Sequence, residues 1–204
     1  MPDSSPTLLE SRRILLASSS PRRRELLKRL AIPFEVVVPG AECAASTDRV
    51  PERLALSHAQ SKAAGAEVEH RDGLLLAVDT VVAIDGLALG KPQDRDEARV
   101  FLDRLSGRDH AVWSAHVWSA VSDGRRLPGS GGDRLVRALV RFDALSRARK
   151  AAYLDTDEWR GKAGGYAIQG AAGAFASVVE GEIETVIGLT LSLVRAEWQR
   201  FLRG

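Results

Sequence analysis

The most restrictive feature of this sequence is the run Leu74–Val78, which is apolar throughout and ends at Asp79. A strand covered on both faces reads as a continuous apolar stretch, so the run marks the centre of a sheet. Asp85-Gly86 lies between Val81–Ile84 and Leu87–Leu89, and this dipeptide favours a tight hairpin turn. Ile14–Ala17 and Phe34–Val38 read as further strands. Pro21 opens a helix with Leu26, Leu27 and Leu30 at helical intervals, closed by Pro33, and Pro51 opens a second helix that carries Leu54, Leu56, Ala59 and Lys62.

The remainder extends the same alternation. Asp94 and Glu97 have capping-box spacing before a helix with Val100, Phe101 and Leu105, which ends at Ser106-Gly107. Two long strands, Ala111–Val121 and Leu135–Phe142, flank a Gly-rich turn at Asp123–Gly132, and a helix follows over Leu145–Leu154. Phe175–Val179, a turn at Glu180-Gly181, Glu184–Ile187 and a helix from about Leu189 to Leu202 complete the chain. This order predicts a mixed α/β sheet.

The 204 residues are 45% hydrophobic and 27% charged, which excludes a disordered chain. Residues 1–13 read as a loose polar leader and 14–204 as a single domain. Apolar runs stop short of the roughly 18 residues that a membrane span needs. Asp3 and Glu10 do not suit a signal peptide, and one cysteine, Cys43, cannot form an internal disulfide. A cytoplasmic protein is expected. The formal net charge of +2 argues against stable nucleic-acid binding.

Chemistry concentrates at four places. Ser18-Ser19-Ser20-Pro21-Arg22-Arg23-Arg24 joins a buried strand to a helix N-terminus, where free N–H groups and guanidiniums favour an anion; it reads equally as an N-cap followed by a solvated basic turn. Asp79, followed by Thr80, stands where a strand-end carboxylate holds a metal, orients a water or caps the next turn. Lys62 and Lys91 are two of only five lysines, each either a phosphate-binding cation or a surface residue. Lys162 to Gly170 combines a cation, Tyr166 and the Gln169 amide in a Gly-rich loop, which suits a phosphate and the edge of a base.

The blocks LASSSPRRRELL, AVDTVVAIDGLALGKP, LSGRDHAVWSAHVW, KAGGYAIQGAAGAF and ETVIGLTL stand in the order and spacing of the Maf family of nucleoside triphosphate pyrophosphatases, so the chain resembles that family from Ile14 onward. The resemblance implies an elongated mixed sheet of the Maf and inosine triphosphate pyrophosphatase kind, with two lobes around a cleft, usually as a homodimer. It also implies hydrolysis of a nucleoside triphosphate to its monophosphate and pyrophosphate with Mg²⁺ or another divalent ion such as Mn²⁺. Asp79 would be the catalytic general base; Ser18, Arg22, Arg23, Lys62 and Lys91 would bind the triphosphate, and Thr80 and Gln169 the nucleotide. Asp79-Thr80 resembles the branch acting on dTTP and UTP; a non-catalytic nucleotide-binding regulator linked to cell division is the alternative. Two blocks differ from the family pattern. The usual Glu after the second strand aligns with Cys43, which leaves Glu42 to join Asp79 as a metal ligand. The closing Asn-Val-x-Gly-Leu-Pro is here Glu184-Thr185-Val186-Ile187-Gly188-Leu189-Thr190.

Overall fold

A computed structural model describes residues 12–41 and 49–203; the leader before Arg12 and the expected metal ligand Glu42 with its neighbour Cys43 lie outside the described residues. The first half runs β1 (Ile14–Ala17), α1 (Pro21–Lys28), β2 (Phe34–Val37), α2 (Pro51–Ala64), β3 (Gly73–Ile84), β4 (Leu87–Leu89) and α3 (Arg95–Leu105). The second half runs β5 (Asp109–Ser122), β6 (Arg125–Arg126), β7 (Gly132–Phe142), α4 (Arg147–Leu154), β8 (Ala176–Glu180), α5 (Ile183–Ile187) and α6 (Leu191–Arg203). The sheet order is β2-β1-β3-β5-β7-β8, with β4 on β3 and β6 on β5. Helices carry the chain between the parallel strands β2, β1 and β3, whereas β5, β7 and β8 join antiparallel.

The expected α/β class and mixed sheet are present, with local differences. Leu74–Asp79 and Val81–Ile84 form one 12-residue strand that continues through Thr80. A 14-residue antiparallel partner explains the continuity: β5 pairs with β3 without a break from Gly73 to Ala83. Glu184–Ile187 lies in a short helix. At α3 the Asp94 carboxylate accepts from the Glu97 N–H at 2.8 Å, while Glu97 accepts from Gln93 one residue before the cap.

Both faces of β1 and β3 are covered. One face packs Leu15, Ala17, Leu75, Ala77 and Val81 against Ala55, Ala59 and Ala63 of α2. The opposite face packs Ile14, Leu16, Leu74, Leu76 and Val78 against Leu26 and Leu27 of α1 and Val194 and Trp198 of α6. A third cluster joins α3 and α4 to the far half of the sheet through Phe101, Leu102, Phe142, Tyr153 and Trp159. No helix among the described residues is long and apolar enough to cross a membrane.

The two short strands leave a gap on one edge of β3. Along β3, pairing with β1 stops at Ala77 and pairing with β4 starts at Val82. Among the described residues, no strand pairs with that edge over Val78–Val81, while β5 supports the other edge throughout. Asp79 and Thr80 therefore sit in a window between β1 and β4 along that edge of β3.

Candidate active site

A cleft of about 560 Å³ opens at this window. Successive strand residues point to opposite faces, so Asp79 faces α2 and Thr80 faces α1, yet both line the cleft. Ser18, Arg22, Arg23, Lys62, Lys91 and Gln169 also line it, so every described residue singled out from the sequence as a site candidate comes to one place. Arg22, Arg23, Lys62, Lys91 and Lys162 are five cations against a single carboxylate, Asp79, among the described lining residues. Such a concave basic surface selects a polyanion.

The Ser-rich turn works through side chains as well as the helix end. Ser20 occupies the N-cap position of α1 without a side-chain cap bond, and Pro21 supplies the first helical φ. Ser18 Oγ accepts from Ser20 N–H at 3.2 Å and from Arg23 Nη1 at 3.3 Å. Arg23 is buried, and its other nitrogens donate to the Gly188 carbonyl at 2.8 Å and Thr80 Oγ1 at 3.2 Å. It therefore ties the β1 turn, β3 and the segment before α6 together while leaving its charge beside the cleft. Thr80 Oγ1 also lies 3.2 Å from Ser114 Oγ on β5, its register partner. Gly188 has φ +125°, a conformation side chains rarely adopt, which favours glycine at the turn that presents its carbonyl to Arg23. Arg22 is half-buried, and burial lowers its pKa from the usual arginine value.

Asp79 is buried. Lys62 Nζ donates to its Oδ1 at 2.5 Å, and His58 Nδ1 lies 3.3 Å from its Oδ2. Burial by itself would raise the carboxyl pKa, but the His58 hydrogen bond, the Lys62 charge and hydrogen bond, and the Arg23 charge together hold it below the usual carboxylate range. Among the described residues no group of three or more His, Cys, Asp or Glu side chains could hold a metal.

The Gly-rich loop forms the opposite wall. Gly164 has φ +69°, and a Cβ there would meet the Val82 side chain at 2.8 Å, so only glycine lets this loop lie on β3. Tyr166 OH is 2.8 Å from His110 Nε2, and Ala167 N–H donates to Tyr153 OH at 3.1 Å. These buried bonds fix the base of the loop, while Gln169 stands exposed at the cleft. Burial, followed by the Arg22 charge, lowers the Lys162 pKa.

Sequence reasoning missed His58, Ser114 and His116. His58 stands four residues before Lys62, and that spacing is a legible sign that both share one face of α2. His116 is fully buried and accepts the Thr190 N–H at Nε2, 3.2 Å away. The family's Pro at that position has no N–H; here Thr190 brings one, and His116 receives it.

A family model described as "Maf-like protein" matches residues 13–201. The chain is 42% identical over 193 residues to a dTTP/UTP pyrophosphatase of Deinococcus radiodurans, covering 94% of this chain and 92% of the relative. It is 41% identical over 191 residues to one of Thermus thermophilus, covering 93% and 96%. Against one of Pyrococcus abyssi it is 37% identical over 182 residues, covering 89% and 92%. With the family pattern spanning both walls of the cleft and the window between them, the chain belongs to the Maf-like protein family.

Proposed function

We propose that the protein hydrolyses nucleoside triphosphates, dTTP and UTP foremost, to the monophosphate and pyrophosphate. The observation that carries this reading is the buried Asp79, the single carboxylate among the described residues lining the cleft, facing five cations. The names of its relatives, dTTP/UTP pyrophosphatases, support the choice of substrate. Arg22, Lys91 and Lys162 would hold the phosphates, with Ser18 and the fixed charges of Arg23 and Lys62 nearer the reacting centre. Thr80 and Gln169 would contribute to the nucleotide site, Gln169 offering both a donor and an acceptor to a pyrimidine edge.

Water attacks the α-phosphorus and pyrophosphate leaves with the bridging oxygen. Asp79, held ionised, accepts a hydrogen bond from that water and orients it. As the P–O bond forms, Asp79 takes up the water's proton, which then passes to solvent, while the P–O bond to the leaving pyrophosphate breaks. Positioning and charge stabilisation supply most of the rate gain. A single hard carboxylate suits Mg²⁺, which is usually held by one or two carboxylates together with substrate phosphates; Asp79, with Glu42 beyond the described residues, would hold it or Mn²⁺. Bound there, the metal would supply charge neutralisation on the phosphates. A cytoplasmic homodimer that cleans the nucleotide pool, with no stable nucleic-acid partner, completes the reading.

The test is pyrophosphate release from a panel of nucleoside triphosphates with and without Mg²⁺. Metal-dependent release, highest with dTTP and UTP, is the expected result. Tight nucleotide binding without release would overturn the assignment as an enzyme.

A further inference from the structure

Helix α2 presents two donors to one carboxylate. Ala55, Ala59 and Ala63 are buried at 0–1% exposure against the sheet, so the helix lies close over β3. His58 and Lys62 are one turn apart on this helix. Lys62 reaches Oδ1 of Asp79 and His58 reaches Oδ2, so each oxygen has its own donor from the same rigid element. An ionised carboxylate only accepts, which requires the His58 hydrogen on Nδ1. The Cβ–Cγ torsion of an aspartate is broad, and a single donor leaves the plane of the group free to swing. Two donors on separate oxygens fix it.

We infer that His58 is a positioning residue for Asp79, forming with Lys62 a two-point clamp that fixes the carboxylate plane and hence the lone pair turned to the reacting water. This rests on the reading of Asp79 as the reacting carboxylate. Displacement of a reacting group by an ångström can cost about 10²-fold in rate, and loss of an outer-shell partner of a metal ligand about 10–100-fold. The loss should fall on turnover, because the phosphate-binding cations on the other walls remain in place.

The test compares His58→Leu with His58→Asn in the full-length protein, with dTTP and Mg²⁺. The Asn amide nitrogen occupies the place of histidine Nδ1, whereas Leu fills similar volume without a donor. His58→Leu is expected to lower kcat at least about tenfold while KM for dTTP stays within about twofold and the melting temperature is little changed. His58→Asn should recover most of kcat. Wild-type kcat in the Leu variant, or an equal fall in both variants, would overturn the clamp. A readout independent of turnover is the ¹⁵N spectrum of the His58 ring. The ring should carry a proton on Nδ1 and revert towards the Nε2–H tautomer in Asp79→Ala; a ring protonated on Nε2 alone in the wild type would refute the contact. Absence of pyrophosphate release from every nucleotide would instead remove the functional reading, and the ring spectrum would still decide whether the pair exists.

Discussion

Asp79 and Gln169 divide the chemistry of the cleft between reaction and recognition, and their substitutions should separate the two. Asp79→Asn keeps the volume but removes the one negative charge that the described lining residues set against five cations. Pyrophosphate release should fall by about 10²-fold or more, and because the buried Lys62 loses its ionised partner the melting temperature should fall as well, so activity is compared well below the variant's transition; retained turnover would remove Asp79 from the reaction. Gln169 is exposed on a loop whose base is fixed by buried bonds, so its truncation should leave the loop in place. Each base-edge hydrogen bond left unpaired costs about 1–3 kcal/mol. The preference for dTTP and UTP over ATP and GTP should therefore be at least about tenfold in kcat/KM, and Gln169→Ala should narrow it. Arg22→Ala, which removes a half-buried cation on the phosphate wall, should weaken all triphosphates alike. An unchanged base preference in Gln169→Ala would place recognition elsewhere in the cleft.

At the scale of elements, the segment from Thr185 to Thr190 links the C-terminal part of the chain to Arg23 and responds to one buried pair. Thr190 N–H donates to His116, Thr190 Oγ1 lies 2.9 Å from Thr185 Oγ1, and Gly188 accepts from Arg23. His116→Leu strands the buried Thr190 N–H and should cost about 1–3 kcal/mol. In a Thr185→Val, Thr190→Pro background no donor is stranded, and the same substitution should cost about 1 kcal/mol less. Urea unfolding of the four proteins checks this, and additive effects would dispose of the coupling. The sequence displays Thr190 but not its partner, because residues 74 apart meet only through the fold. The same limit explains the rest of what was and was not legible. Elements with strong punctuation, such as Pro21, Pro51 and Asp85-Gly86, could be read directly, and so could charged residues in unusual settings. The window at Val78–Val81 could not, since it depends on where β1 stops and β4 begins along a third strand. His58 was hidden because a helix face acquires meaning only when its orientation over β3 is known.

Across the whole molecule, β5 supports both walls of the cleft through two histidines on one face of the sheet. His110 holds Tyr166 of the Gly-rich loop, and His116 holds Thr190 beside Arg23's carbonyl partner. Burial pushes His110 down to about 4, only partly offset by the Asp109 charge. Burial and then the Arg23 charge push His116 down to about 3. Both are neutral in the folded protein near pH 7, and both regain an ordinary pKa of about 6.5 in the unfolded chain. As pH falls below that value, the unfolded chain takes up protons that the native state refuses. Stability should thus be flat above about pH 7 and decline from about pH 6.5 towards pH 4, with a slope approaching about 1.4 kcal/mol per pH unit for each histidine. Asp79 has the opposite history: its lowered pKa contributes stability above the ordinary carboxylate range, and that contribution is lost only as pH falls through its own folded value. The histidine window is therefore crossed first on acidification. Urea midpoints measured from pH 8 to pH 4 test the argument, and His110→Phe supplies the control. That variant keeps an aromatic ring against Phe142 and Tyr166 but removes one titrating group, so it should be less stable at pH 7 and yet lose stability less steeply on acidification. A wild-type profile that stays level between pH 6.5 and pH 4 would mean that neither histidine is kept neutral by the fold.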